Sequence, residues 1–249
     1  MSDLITVQGV VLSAMPIGEY DKRIVLLTRE RGKISAFATG ARRPNSAFRA
    51  AANALVFGTF ELREGRNSYN LHSVSITHQF VDLAQRQPAV YYAYYFLELA
   101  DYFGREGTDE REMMNLIYVT VKALFHPEIN EKLVRCVFEL RAMAIQGFCP
   151  ELNQCVSCGA ELDPDELYIS QENHGTLCPD CAHHTKDAYR ISPAVLYTMQ
   201  YIVAAPLGKL YTFSVKEEVL RELEYFTHTY VDKNTDRHFK TLDILEMMS

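Results

Sequence analysis

The sequence predicts an α+β chain of two domains: a small five-stranded barrel over residues 1–80, then an α-helical domain over 81–249 interrupted by a four-cysteine module at 150–185. Three observations predict it. Short β-branched runs separated by glycine-bearing turns fill the first eighty residues. From Gln87 onward, apolar residues recur at helical spacing instead. Two Cys-x-x-Cys pairs, Cys155/Cys158 and Cys178/Cys181, stand nineteen residues apart.

The strands come in order. Ile5 to Met15 is apolar and β-branched and is punctuated by Gly18-Glu19-Tyr20-Asp21. Arg23 to Thr28 follows, and a turn around Arg31-Gly32-Lys33 leads into Ile34 to Ala38. After a basic connection come Leu55 to Arg63, the turn Glu64-Gly65-Arg66-Asn67, and the alternating Tyr69 to Ile76. Five strands of similar length in about 80 residues fit an OB-fold barrel; an SH3-like barrel gives a similar pattern.

Gln87-Pro88 opens a tyrosine-rich helix, Ala89 to Phe103. Its Tyr91, Tyr92, Tyr94, Tyr95 and Tyr102 sit at helical spacing among leucines and are read as packing residues. Asp109 to Glu112 has the form of a capping box ahead of a helix bearing Met113, Leu116, Ile117, Val121 and Leu124 on one face. Asn130 caps a third helix that ends at Gly147. Ser192-Pro193 starts a fourth, and Ser214-x-x-Glu217 is expected to cap a fifth carrying Leu220, Leu223, Phe226 and Tyr230.

Each cysteine pair places two sulfurs on one tight turn, helped by Gly159 and Pro179, and two such turns complete a tetrahedron. Four thiolates fill the shell, so the site is expected to be structural, holding one zinc; iron occupies the same kind of S4 shell. His174, His183 and His184 lie close enough for a three-Cys-one-His variant and are read as solvated loop residues. Cys149 is spaced wrongly for the second pair and is read as a small apolar residue at a helix end, and Cys136 as core.

Disulfides are disfavoured, because MSDLITVQGV has no basic, apolar or cleavage region of a secretory signal and no stretch approaches a membrane span. A reducing cytoplasm is the expected location. The net charge of −7 hides an asymmetry. Residues 1–80 hold ten Lys/Arg against six Asp/Glu, a balance of +4, and residues 81–249 hold fifteen against twenty-six, a balance of −11. Such a split suggests a basic binding module on an acidic body. The most basic stretch is Gly40 to Arg49, with Arg42, Arg43 and Arg49, following Lys22, Arg23, Arg29, Arg31 and Lys33. Cations on a barrel neutralise phosphates, and Phe48 and Tyr69 are the nearby stacking candidates. Asp163, Asp165, Glu166 and Asp180 disfavour phosphate contact at the cysteine module. No P-loop, dinucleotide, HExxH or GxSxG motif is present in the sequence, so no catalysis is expected.

The runs V-Q-G-V-V-L, G-E-Y-D-K-R-I-V-L-L-T-R-E-R-G-K and T-G-A-R-R-P-N-S resemble the RecO family of bacterial recombination mediators. F-E-L-R-A-M-A-I-Q-G-F-C-P-E-L-N-Q-C-V-S-C-G and L-C-P-D-C-A resemble its zinc-bearing members, and the likeness spans essentially the whole chain. It implies an N-terminal OB domain and a helical domain interrupted by a zinc module. The implied activity is binding single- and double-stranded DNA, annealing complementary strands and helping to load RecA onto single strands coated by single-strand-binding protein. The implied partners are RecR, in some cases RecF, and the C-terminal tail of single-strand-binding protein, with the protein acting at the nucleoid. Arg23, Arg31, Lys33, Arg42 and Arg43 match the family's basic pattern. Two rivals remain open: a protein-only adaptor with a structural zinc site, and a metal-dependent hydrolase using the three histidines.

Overall fold

The computed structural model describes residues 4–66 and 68–248, so Asn67 of the expected fourth turn lies outside it. Internal contacts divide the chain into two units. One runs through Ile117 and takes in Phe239 onward; the other is Tyr118–His238.

The first unit is built on β1 (Leu4–Ile17), β2 (Asp21–Thr28), β3 (Gly32–Ala38), β4 (Val56–Glu64) and β5 (Tyr69–Gln79). They close a barrel in the order β1-β2-β3-β5-β4, with β3 and β5 parallel and the other pairs antiparallel. This is the five-stranded OB arrangement. β1 serves two neighbours. Leu4–Val10 pairs with β4, Gly9–Ile17 pairs with β2, and a bulge between Val11 and Ser13 turns the strand from one to the other. Val7, Val11, Ile24, Leu26, Ile34, Ala36, Phe60, Leu62 and Leu71 fill the interior. Each large apolar side chain buried there stabilises the barrel by about 1.5–3 kcal/mol.

Gly32, at the β2–β3 turn, sits at φ +66. A Cβ there would collide with the Arg105 carbonyl oxygen and crowd the Thr108 hydroxyl. That closeness lets Lys33 N donate to Arg105 O and Gly107 N to Arg31 O, both at 2.9 Å. Beyond a 3-10 turn (Val81–Gln85), α1 (Ala89–Phe103) buries Tyr92, Tyr95, Phe96 and Leu99, so its tyrosines act mainly as core. Tyr91 and Tyr102 are half-buried, and Tyr94 is exposed. α2 (Arg111–Ala123) starts where Asp109 Oδ1 accepts from Arg111 N at 3.0 Å, and it buries the expected face from Met113 to Val121.

In the second unit, α3 (Glu131–Ile145) is capped by Asn130, which accepts from Lys132 N. Next come β6 (Tyr168–Ser170), β7 (Gly175–Leu177), α4 (Pro179–His183) and β8 (Tyr189–Arg190), the strands forming a small sheet in the order β7-β6-β8. α5 (Pro193–Ala204) is capped by Ser192, which accepts from Val195 N. α6 (Glu217–Asn234) packs with α3 and α5 around Val137, Phe138, Met199, Ile202, Leu223 and Phe226. Cys136 lies in this core, and burial pushes its thiol far up from its usual range.

The expected cap at Ser214 does not form. Lys216 holds the cap position with no side-chain bond, and Glu217 and Glu218 in the first turn offset the helix dipole instead. The spacing Ser214-x-x-Glu217 places the serine two residues too early. Finally, α7 (Lys240–Met248) returns to the first unit against α1. Glu98 accepts from both the backbone N (3.0 Å) and hydroxyl (2.6 Å) of Thr241, placing an anion at the helix N-terminus. Among the described residues no helix is long and apolar enough to cross a membrane.

Candidate nucleic-acid interface and metal centre

Strand alternation fixes what the barrel shows outside. Ile24 and Leu26 of β2 and Ile34, Ala36 and Ala38 of β3 point inward, so Arg23 and Val25, with Lys33, Ser35 and Phe37, face out. The register sets Met15, Arg23 and Phe37 side by side across three strands. Arg23 Nε donates to Ser35 Oγ at 2.7 Å. Beside it lies a polar depression of about 450 Å³, lined by Arg23, Lys33, Ser35 and Arg66 but also by Glu64, Asp101 and Glu106. Lys33 is fastened there: its ammonium donates to the Asp101 carbonyl at 2.5 Å and pairs with the Asp101 carboxylate at 3.5 Å.

The β3–β4 connection forms a second basic surface. Gly40 N donates to Asp21 Oδ1 at 2.7 Å, Arg42 N to Tyr20 O at 2.8 Å, and Arg42 Nη1 to Gly18 O at 3.1 Å. The Arg43 guanidinium lies 5.2 Å from the Tyr20 ring centroid, a cation–π distance. These contacts stitch the loop to the β1–β2 hairpin. Lys22 is turned inward, donating to Ala52 O at 2.7 Å and Asn53 Oδ1 at 2.8 Å. Burial, then the Arg42 charge, pulls its ammonium below the usual lysine range. Arg49 is exposed and donates to Pro44 O.

Of the seven basic candidates, then, Lys22 and Lys33 fasten the fold. Arg23 keeps an exposed guanidinium on the outer face of β2, Arg31 on the β2–β3 turn, and Arg42, Arg43 and Arg49 on the β3–β4 connection. The two expected stacking rings are not presented. Tyr69 is buried, which raises its hydroxyl pKa, and Phe48 is half-buried against the barrel core. Alternation along β5 turns Tyr69 inward. An exposed ring beside the arginines is Tyr20, which in the sequence is only part of a turn.

In the second unit the four cysteines meet. The sulfurs of Cys155, Cys158, Cys178 and Cys181 all lie within 4.8 Å of one another, and those of Cys158 and Cys178 are 3.7 Å apart. A tetrahedral ion bound to thiolates at about 2.3 Å requires S···S edges of about 3.8 Å. The donor set fits. The first pair rides a turn closed by Gly159 N to Cys155 O and by Cys155 N to Ala160 O, both 2.8 Å, with Gly159 at φ +74. The second straddles the start of α4, where Cys178 is the N-cap and Pro179 the first helical residue.

Burial alone would raise the Cys155 thiol. The backbone N–H groups of Cys178, Cys158 and Ser157 outweigh it and bring it down to about 6. The neighbouring sulfurs of Cys178, Cys158 and Cys155 push Cys181 up to about 12. Cys149 falls outside the cluster and is exposed, not packed at a helix end as expected; the chain leaves α3 at Gly147, φ +87, before reaching it. The three histidines are also outside. His174 Nδ1 meets Tyr230 Oη at 3.1 Å, and His183 and His184 are exposed.

Comparison with known proteins agrees with this geometry. Residues 1–80 match the family description "Recombination protein O N terminal" and residues 84–243 match "Recombination protein O C terminal". Three similar proteins are each named DNA repair protein RecO. That of Alkaliphilus metalliredigens is 30% identical over 244 residues, spanning 97% of this chain and 98% of that protein. That of Symbiobacterium thermophilum is 29% identical over 247 residues, 98% of each. That of Acetivibrio thermocellus is 28% identical over 240 residues, 96% and 95%. A barrel closed in OB order, a helical unit carrying a four-sulfur centre, and both family matches over nearly the full length place this chain in the RecO family of recombination proteins.

Proposed function

We propose that the chain works in DNA repair and recombination as a mediator that acts by binding, without catalysis. It holds single- and double-stranded DNA on the barrel, anneals complementary strands, and helps load RecA onto single strands coated by single-strand-binding protein. RecR and the tail of single-strand-binding protein are its protein partners, with RecF in some settings. The observation that carries this reading is the placement of Arg23, Arg31, Arg42, Arg43 and Arg49, all exposed on the outer face and loops of an OB barrel. The β2–β3 face, which carries Arg23, and the β1–β2 loop, against which Arg42 and Arg43 lie, are among the places where this fold takes oligonucleotides. Guanidiniums release counterions from phosphates and lower the repulsion between two backbones, so paired strands meet at a raised effective concentration.

The cysteine centre holds zinc in a structural role, and the bound ion would supply cross-linking of a loop-rich segment. Four sulfurs close the shell, which leaves no open position for a hydrolytic water. Titrating labelled single- and double-stranded oligonucleotides at increasing salt tests the reading. Log affinity should fall linearly with log salt for both forms. Absence of binding at low salt would favour a protein-only adaptor.

A further inference from the structure

We infer that the tip of the β1–β2 hairpin is a nucleobase-stacking element, in which Tyr20 backed by Arg43 receives an unpaired base. This deepens the proposed function and rests on its DNA-binding reading. Residues 15–20 are all exposed, and three of the six are large and apolar: Met15 at 59%, Ile17 at 40% and Tyr20 at 43%. The turn proper is Gly18-Glu19-Tyr20, with Gly18 at φ +56, and Met15 and Ile17 close β1 beside it, so exposed apolar side chains gather at one end of the hairpin, an arrangement that calls for a partner. Scattered exposed apolar residues need none, but these three share one tip.

The tip is held in place. Asp21 takes Gly40 N, while Arg42 reaches both Tyr20 O and Gly18 O, so hairpin and basic loop form one piece. Arg43 lies over the Tyr20 ring and fixes its orientation. A nucleotide joins a flat π face to a phosphate, and the tip sets an aromatic ring beside two guanidiniums to match. Bases within a duplex already stack on one another, so such a platform favours unpaired strands. Met15 and Ile17, two residues apart on β1, extend it along one strand face. The tip's carboxylates are Asp21, engaged by Gly40, and Glu19, which opposes a phosphate nearby.

The test compares wild type, Tyr20→Ala, Tyr20→Phe and Arg43→Gln by fluorescence anisotropy on labelled oligo(dT) and on an abasic strand of equal length. Tyr20→Ala should weaken oligo(dT) binding roughly 5- to 150-fold, the range of one lost base stack. It should leave the abasic strand and the salt slope unchanged. Tyr20→Phe should keep wild-type affinity, unchanged abasic binding by Tyr20→Ala excludes misfolding as the cause, and Arg43→Gln should weaken both strands. Tyr20→Ala binding oligo(dT) as wild type does, or losing both strands equally, would overturn the inference while leaving the DNA-binding reading intact. So would a Tyr20→Ala variant that keeps DNA but loses a protein partner, since the tip would then be a protein-docking surface. Wild type binding neither strand at low salt would bring down the DNA-binding reading, and the stacking element with it.

Discussion

Replacing Arg42 and Arg43 together by glutamine removes two exposed guanidiniums and leaves the barrel core untouched. Among the described residues neither pairs with a carboxylate: Arg42 donates to the Gly18 carbonyl and Arg43 lies over Tyr20. Both charges therefore remain available to phosphates. Each phosphate contact contributes about 0.7 to the slope of log affinity against log salt on single strands, and about 0.9 on duplex. The double variant should flatten the slope by about 1.4 and about 1.8 respectively. The affinity gap to wild type on single strands then narrows about sevenfold between roughly 50 and 200 mM salt. Anisotropy titrations at four or five salt concentrations read this directly, and unchanged thermal melting confirms an intact barrel. Weaker binding with an unchanged slope would refute the reasoning, because the loss would then come from something other than counterion release.

Further outcomes follow from the rest of the structure. Chelation, or Cys178→Ser, should lower the melting temperature of the helical unit and leave oligonucleotide affinity unchanged; a matched loss of DNA binding would place the metal centre in the interface. Asp187 accepts from Ser170 Oγ at 2.7 Å and from the N–H groups of Gln171 and Glu172 at 2.9 Å. Burial opposes its ionisation, but these bonds and Lys233 win, holding its carboxyl below the ordinary 3.8. Asp187→Asn should therefore cost about 1–3 kcal/mol at neutral pH. A depressed folded pKa contributes stability above the unfolded value, so in denaturant titrations the gap should persist above about pH 4 and close as pH falls through the folded pKa. Gly32→Ala should cost about 2 kcal/mol or more from its left-handed backbone and the Arg105 collision, and an unchanged melting curve would contradict that account.

Most of the barrel was legible because its signals are local. Alternation and Gly-bearing turns mark all five strands within a few residues of their bounds. Asn130 and Ser192 cap helices for the same reason, and the cysteine spacing pointed directly to the cluster. The misses are tertiary. Whether Tyr69 faces in or out depends on which face of β5 the closed barrel buries. That Lys22 and Lys33 also fasten the 50–53 turn and α1 shows only once those acceptors fold beside them. The three short strands of the cysteine module are too brief for alternation to mark. α7 is held partly by Glu98, 143 residues away in sequence, a link no local window contains. A turn tyrosine such as Tyr20 carries no local signal; its place shows only with Arg43 above its ring.

Strand pairing through the arginines of the barrel is the activity proposed for this chain. Annealing of complementary oligonucleotides precoated with single-strand-binding protein, with and without RecR, measures it most directly. Wild type should accelerate annealing on coated strands, and the Arg42→Gln, Arg43→Gln double variant should lose most of that acceleration, the more so at low salt. A wild-type protein inert on coated DNA, or a double variant as active as wild type, would contradict it.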